Sequence, residues 1–247
     1  FPRASIIIVT FNNLELNRLC LEKLYEQTEW PNYEVIVVDN DSTDGTREFL
    51  QEAESAYQNL RVVLNDANLG FAAANNIGLK MATGEFLVLL NNDTVVTRGW
   101  LSALLRHLIA NPDIGLVGPV TNAIANEARI EVAYQQIEDM PNWAAGYVRD
   151  HDCETFSIPM LAMFCVAMRR DVFERTGLLD EQFGVGMFED DDYCRRVTEL
   201  GFKLVCARDS FIHHWQRASF KLLGEDEYLR IYRENQSKFE EKWRHAN

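Results

Sequence analysis

Short apolar runs alternate with longer amphipathic stretches through the first half of the chain. The apolar runs are SIIIVTF (5–11), YEVIVVDN (33–40), LRVVLN (60–65), EFLVLLN (85–91) and IGLVGPV (114–120), and they predict strands. The stretches between them predict helices at about 14–27, 44–57, 70–82 and 97–110. Because the runs are continuously apolar, helices should cover both faces of a mostly parallel sheet. This half therefore predicts a doubly wound α/β unit with right-handed crossovers.

The second half of the chain is less regular. Residues 121–157 show no clear period, so we interpret them as a long excursion or lid. An apolar strand near 160–168, a short helix from Asp171 and a last strand at 203–207 follow. A charged amphipathic helix is expected at about 225–244.

Polar residues follow three of the predicted strands at their carboxyl ends. They are Thr10 and Asn12 after the first, Asp39 and Asn40 after the second, and Asn91, Asn92 and Asp93 after the fourth. These ends share one edge of a parallel sheet, which is where open α/β sheets bind ligands. Asp93 in NNDT has no Lys or Arg before Arg98. It is either a turn former or a ligand for a divalent cation, and the convergence of polar residues favours the ligand.

Composition narrows the class of protein. The chain has 247 residues, of which 47% are hydrophobic, enough for a large buried core. Its formal charge of −14 argues against a nucleic-acid binder, which needs a basic face. The five cysteines are widely spaced without a CxxC pair, which favours a reducing compartment. The longest apolar run, 158–168, is too short to cross a bilayer, and we expect no leader and no transmembrane segment.

The densest acidic cluster is EDDD at residues 189–192. A helix over about 189–200 would place these acids in its first turn, where the helix macrodipole favours negative charge. A spacing of four residues would pair Asp191 with Arg195 and Asp192 with Arg196. Those two acids therefore have a structural explanation.

Asp190 differs from its neighbours, because it shares its helix face with Cys194 and Val197. A carboxylate crowded by like charges has a raised pKa, which suits a general base, although such carboxylates also occur in structural networks. Gly184 and Gly186 precede the cluster and would let the backbone turn closely past a ligand.

Two further stretches carry candidate chemistry. FIHHW (211–215) places His213 and His214 beside Trp215, and one imidazole could join oxygen ligands around a metal. An oxygen-rich set suits manganese or magnesium and argues against a structural zinc. NLGFAAANNIGL (68–79) fits neither GxGxxG nor GxxxxGK[ST], so its small residues predict close helix packing.

Taken together and in this order, several motifs resemble those of family-2 glycosyltransferases with the GT-A fold. They are IIIVTFN, VVDNDSTDGT, NLGFAAANNIGL, LLNNDT, LDEQFGVGMFEDDDYCRRV and FIHHW, and they extend over about residues 5–215. Within the family they are most similar to rhamnosyltransferase-type and related cell-surface polysaccharide enzymes. The resemblance implies one GT-A domain over 1–247, with a nucleotide-binding half (1–120) and an acceptor-binding, catalytic-base half (121–247).

The resemblance also implies the reaction and its residues. A sugar would move with inversion from a nucleoside diphosphate donor, a UDP- or dTDP-sugar, to a hydroxyl of a glycan or lipid-linked acceptor. Asp190 would be the catalytic base, and Asp93 with His213 would bind Mn²⁺ or Mg²⁺. NND stands in place of a strict DxD, which removes one carboxylate from the metal shell. The implied substrate-binding residues are Thr10, Phe11, Asn12, Asp39, Asn40, Asn68, Gly70, Asn75, Asn92, Glu189 and Trp215.

Two other functions remain open at this point. A sugar-1-phosphate nucleotidyltransferase would need a glycine-rich, basic loop near the start, and VTFNNLELNR (9–18) lacks one. A non-catalytic GT-A module could keep the fold and only bind nucleotide sugar or glycan. The presence of Asp93, Asp190 and His213 together speaks against such a module. We expect a cytoplasmic protein with no nucleic-acid partner, and leave peripheral contact at the inner membrane face open.

Overall fold

A computed structural model describes residues 1–216 and 224–244. Its strands are β1 (Ala4–Thr10), β2 (Tyr33–Asp39), β3 (Leu60–Leu64), β4 (Phe86–Asn91), β5 (Thr94–Val96), β6 (Ile114–Val120), β7 (Thr155–Ser157), β8 (Cys165–Arg169) and β9 (Lys203–His214). Its helices are α1 (Leu14–Gln27), α2 (Thr46–Ala56), α3 (Phe71–Met81), α4 (Trp100–Ala110), α5 (Met140–Asp150), α6 (Arg170–Thr176), α7 (Glu189–Glu199) and α8 (Glu225–Trp243). The elements predicted in the first half are confirmed to within a few residues.

The strands form one sheet in the order β3-β2-β1-β4-β8-β6-β9-β5, and β7 pairs with β9. Strands β3, β2, β1 and β4 are parallel, as predicted for a doubly wound half. Strand β8 then enters antiparallel between β4 and β6, and β9 runs parallel to β6. The predicted α/β sheet flanked by helices is therefore confirmed, with its parallel character concentrated in the first four strands.

The continuous apolar strands are explained by burial on both faces of the sheet. In β1, Ile6 and Ile8 pack into one core cluster with side chains of α1, α2 and α4. Ile7, between them, packs into a second cluster with side chains of α3, α5 and α7. Alternate residues of one strand thus serve two cores, which leaves no polar face.

The excursion at 121–157 contains secondary structure that its composition did not predict. Helix α5 carries Pro141 in its first turn, where the missing N–H does no harm. Trp143 and Tyr147 stack at 5.3 Å between ring centroids, and Trp143 also meets Phe211 of β9 edge to face at 4.9 Å. The aromatic residues of this segment therefore pack on the sheet, and the helix owes its place to that tertiary contact.

The last strand is longer than predicted, ending at His214 and not at residue 207. Asp209 and Ser210 break the apolar pattern in the sequence, yet both are buried. Asp209 accepts hydrogen bonds from Arg106 at 2.6 Å and pairs with His107 at 2.8 Å. These distant partners allow the strand to continue through a polar stretch.

Neither a membrane span nor a disulfide is found in the part of the chain that the structure describes. No helix there combines the length and apolar character needed to cross a bilayer. All five cysteines are free thiols, and only Cys153 is exposed.

Helix α3 packs very closely on β1, as its small residues predicted. A Cβ atom added at Gly78 would lie 2.4 Å from Cγ2 of Ile7, which is fully buried. The clash involves a side chain that has no free space to move into. Gly78 therefore fixes the distance between this helix and the central strand.

We predict that Gly78→Ala lowers the free energy of unfolding by about 1–3 kcal/mol, because the added methyl overpacks the core. The matched control is Gly146→Ala in α5, where the added Cβ would have no heavy atom closer than 4.0 Å. That control should raise stability by about 0.5–1 kcal/mol through helix propensity. Urea unfolding measures both, and equal stability of the two variants would contradict the close packing.

Candidate functional site

The carboxyl ends of β1 and β2 meet around Asp39, which is fully buried. Thr10 Oγ1 donates to Asp39 Oδ1 at 2.9 Å, and Ser42 donates through its backbone N–H at 3.0 Å and its hydroxyl at 2.5 Å. The guanidinium group of Arg47 lies 3.8 Å from Oδ2 of Asp39. The predicted convergence is present, but Thr10 and Asp39 direct their hydrogen bonds to each other and to the following loop.

Asn17 of α1 links the ends of β1 and β4, and sequence reasoning missed it. Its Nδ2 donates to the carbonyl of Asn12 at 2.8 Å, and Asn92 Nδ2 donates to its Oδ1 at 2.6 Å. Asn12 itself has a φ of 52°, a backbone conformation that Asn tolerates. The signal was available, because Asn17 shares the buried face of α1 with Cys20, Leu21 and Leu24. Phe11, beside this network, is partly buried.

Gly70 lies where the loop before α3 touches the loop before α7. Asn40 Nδ2 donates to its carbonyl at 3.1 Å, and Asn68 Oδ1 accepts from its N–H at 3.0 Å. Gly70 has a φ of 84°, and an added Cβ would lie 2.0 Å from the carbonyl oxygen of Gly184. Gly184 was expected to let the backbone pass close to a ligand. The close approach in the structure is instead between the backbones of Gly70 and Gly184.

The two asparagines of α3 have different partners. Asn75, the predicted one, donates to the Phe71 carbonyl of its own helix at 2.9 Å. Asn76 is not among the predicted site residues. Its Oδ1 accepts from the N–H of Leu179 and its Nδ2 donates to the carbonyl of Leu179, both at 2.9 Å. Asn76 therefore ties the first half of the chain to the segment leading into α7.

Asp93 lies between β4 and β5, and its Oδ1 is 3.3 Å from Nε2 of His214. His214 Nδ1 is 3.0 Å from the Ala123 carbonyl, which only accepts, so Nδ1 carries a hydrogen. Nε2 and the carboxylate oxygen face each other at a separation that would allow one cation to bind both atoms. Metal-binding histidines commonly donate their other N–H to a backbone carbonyl. This donor set fits a divalent cation.

The structure brings His214, and not His213, into contact with Asp93, so the metal role expected of His213 stays a prediction. His213 Nδ1 lies 2.6 Å from Tyr134 Oη, and its ring meets Trp215 edge to face at 4.7 Å. Burial, followed by the charge of His214, lowers the pKa of His213 to about 4. Trp215 is 42% exposed, and its backbone N–H donates to the backbone carbonyl of Asp93 at 2.9 Å.

Helix α7 begins at Glu189 and holds all four acids in its first turn, as predicted. Asp192 pairs with Arg196 at 2.9 Å, which is also as predicted. The predicted partner of Asp191 is wrong, since Arg195 lies 3.6 Å from Glu199 and its guanidinium covers the ring of Trp243. A spacing of four residues would let Arg195 pair with either Asp191 or Glu199. The packing of Arg195 on Trp243 of α8 accompanies the pairing with Glu199.

Glu189, Asp190 and Asp191 form a cluster of carboxyl groups that titrate together. Burial and then the charge of Asp191 raise the pKa of Asp190, whose Oδ1 accepts from the Asp191 N–H at 3.0 Å. Burial and then the charge of Asp190 raise the pKa of Glu189. Glu189 Oε2 has no hydrogen-bond partner within the described ranges. A carboxyl whose pKa is raised towards neutrality suits a general base.

Solved glycosyltransferases share this fold. The structure of GalNAc-T7 with UDP, GalNAc and Mn²⁺ aligns over 93% of this chain and 48% of its own, with a TM-score of 0.71 and 17% identity. The mannosyltransferase PcManGT from Pyrobaculum calidifontis, in complex with GDP-Man and Mn²⁺, aligns over 90% and 59%, with a TM-score of 0.67 and 24% identity. The fold is therefore of the GT-A type.

The model of glycosyl transferase family 2 matches residues 5–177, and the chain belongs to this family. The O-antigen biosynthesis protein RfbC of Myxococcus xanthus is 31% identical over 86% of this chain and 17% of its own. Glycosyltransferase AglE of Haloferax volcanii is 29% identical over 90% of this chain and 70% of its own.

The uncharacterized protein y4gI of Sinorhizobium fredii is 28% identical over 88% of this chain. The chain spans 25% of the length of y4gI and 17% of that of RfbC. The family match ends at residue 177, before the acidic cluster and the two histidines. The roles of these residues therefore rest on their geometry.

The raised pKa of Glu189 predicts a pH-dependent effect of Glu189→Gln on stability. Because the folded state holds a proton that the unfolded state releases above about pH 4.3, wild-type stability falls as pH rises towards the folded pKa. Glu189→Gln removes this loss, so its stability relative to wild type should rise from pH 5 to pH 8, by up to about 1.4 kcal/mol per pH unit.

Urea unfolding at a series of pH values checks this prediction. Glu199→Gln, on the exposed end of the same helix, is the matched control for loss of a carboxylate. A trend of equal size in both variants would show that burial of Glu189 is not its cause.

Proposed function

We propose that this chain is an inverting glycosyltransferase that moves a sugar from a nucleoside diphosphate donor to an acceptor hydroxyl. The observation that carries the proposal is Asp190, a partly buried carboxyl with a raised pKa at the start of α7. A transferase needs a general base, whereas a module that only binds nucleotide sugar does not. The named relatives support a role in cell-surface polysaccharide or glycan synthesis, since one is an O-antigen biosynthesis protein.

Asp93 and His214 would hold the divalent cation, Mn²⁺ or Mg²⁺. The 3.3 Å separation of Asp93 Oδ1 and His214 Nε2 supports this assignment, as do the contact of His214 Nδ1 with the Ala123 carbonyl and the Mn²⁺ ions bound by the two solved glycosyltransferases. When bound, the cation offsets negative charge that builds on the departing diphosphate. The absence of a second carboxylate in NND is compensated in part by the imidazole.

Asp190 would take the proton of the acceptor hydroxyl. The acceptor oxygen forms a bond to the anomeric carbon from the side opposite the diphosphate, and the bond between that carbon and the diphosphate oxygen breaks. Its electron pair leaves with the nucleoside diphosphate, while the proton stays on Asp190. One base and one in-line displacement invert the anomeric carbon.

We assign the two substrates to the two halves of the chain. Residues 1–120 would bind the nucleotide, a UDP- or dTDP-sugar, at the ends of β1 and β2, and residues 121–247 would supply the base and the glycan or lipid-linked acceptor site. Trp215, exposed beside Asp93, offers a face on which a sugar ring can stack. Screening UDP-, dTDP- and GDP-sugars for thermal stabilisation with and without Mn²⁺ identifies the donor.

His214→Asn and Asp93→Asn should each abolish the Mn²⁺-dependent part of donor binding, because each removes one ligand of the cation. His213→Asn is the matched control and should retain it, since the His213 ring is held by Tyr134. Calorimetric titration of the selected donor with and without Mn²⁺ separates the cases. Loss in His213→Asn and retention in His214→Asn would restore the assignment made from the sequence.

Asp190→Asn should keep donor affinity and lower kcat by about 10²–10⁴-fold, the usual contribution of a general base. Asp191→Asn should keep most turnover but move the acid limb of the kcat profile to lower pH, because the charge of Asp191 helps to raise the pKa of Asp190. Release of nucleoside diphosphate, first without acceptor and then with it, measures both. An active Asp190→Asn enzyme would refute this choice of base.

A further inference from the structure

One face of helix α8 lies along the segment that leads into the acidic cluster. Lys238 Nζ donates to the Gln182 carbonyl at 2.7 Å, and Lys242 Nζ lies 2.6 Å from Asp192. Trp243 Nε1 donates to the same carboxylate at 3.0 Å. These residues, together with Asn235, recur at helical spacing and share one side of the helix. Helix α8 lies outside the part of the chain that matches the family model.

The segment between these anchor points has an unfavourable backbone conformation. Met187 and Phe188 have φ values of 78° and 72°, and α7 begins at the next residue. The left-handed region is unfavourable for a residue with a side chain, because its Cβ then crowds the following carbonyl oxygen. Two such residues in succession persist only where the surroundings hold them. The starting point of α7, and with it Glu189 and Asp190, therefore depends on what holds this turn.

Asn235 supplies the contacts that hold it. Its side chain is almost completely buried, and the two N–H groups of Nδ2 donate to the carbonyls of Phe183 at 2.7 Å and Gly186 at 2.8 Å, while the carbonyl of Met187 lies farther away, at 3.4 Å. Lys238 Nζ donates to Asn235 Oδ1 at 3.0 Å. Because an ammonium group only donates, this contact fixes which end of the amide is the oxygen. The side-chain amide of Asn235 thus contacts three backbone carbonyls of the turn.

We propose that Asn235 is a positioning residue for the transfer reaction. It touches neither the donor nor the acceptor in this proposal, but sets where α7 begins and hence where Asp190 meets the acceptor hydroxyl. Asp192 in the same turn of α7 is also held by α8, through Lys242 and Trp243. The inference rests on the proposed function, because it takes Asp190 as the base.

Asn235→Asp tests the inference, since it keeps the shape of the side chain and replaces the donor group with an oxygen that repels the carbonyls. We expect kcat for release of nucleoside diphosphate from the selected donor to fall by about 10–100-fold, because small misplacements of reacting groups have effects of this order. The donor Kd with Mn²⁺ should stay unchanged. Gln236→Glu, the same change of chemistry at the next residue of α8, should leave kcat unchanged.

Hydrogen exchange gives a readout that needs no substrate. Amides of residues 183–189 should exchange faster in Asn235→Asp, while those of β1 and β4 keep their wild-type rates. Asn235→Ala, which adds no charge, repeats both measurements and decides the matter if Asn235→Asp does not fold. A wild-type kcat in a folded Asn235 variant, or a loss of donor affinity equal to the loss of kcat, overturns the inference.

The two proposals fail in different ways. If Asp190→Asn is inactive while Asn235→Asp turns over normally, only the positioning role is wrong. If Asp190→Asn turns over normally, the proposed base is wrong, and the positioning role falls with it.

Discussion

The buried carboxylate of Asp39 is the constraint on which the carboxyl edge of β1 and β2 depends. A carboxylate without partners in this position would be very costly, so the chain around it must present donors. Thr10 supplies one from the end of β1, and Ser42 supplies two from the loop after β2. This requirement fixes the two strand ends relative to each other. Asn40 and Asn12, next to those groups, then connect the edge to Gly70 and Asn17.

The acids of the proposed site differ through their surroundings. Asp39 receives hydrogen bonds from neutral groups, and Asp192 is held by two cations and an indole N–H. Glu189 and Asp190 have fewer donors, and the pKa of each is raised by burial first and then by a neighbouring charge, that of Asp190 for Glu189 and that of Asp191 for Asp190. Groups of one chemical type thus differ in their pKa and in their proposed roles according to their partners. The first turn of α7 contains both kinds within four consecutive residues.

The two halves of the chain are joined through groups that lie far apart in the sequence. Asn76 of α3 binds the backbone of Leu179, and Gly70 accommodates the carbonyl of Gly184. The loop before α7 therefore rests on the first half from one side and on α8 from the other. The loop thereby fixes the position of the acids in the first turn of α7, although the loop itself is neither a helix nor a strand. This is how a bend with left-handed residues can lead into a helix that begins at a defined residue.

The sequence by itself determined the strands and helices of the first half, the packing of α3 and the family, because these follow from local periodicity, residue size and motif order. Its candidate site residues were chosen where polar groups end a strand or crowd a helix start. Only the tertiary structure decided that His214 contacts Asp93, that Arg195 pairs with Glu199 and not with Asp191, and that α5 forms. Each of these depends on which distant surface a side chain packs against. Local spacing leaves adjacent histidines and competing acids equivalent, and contacts between remote elements distinguish them.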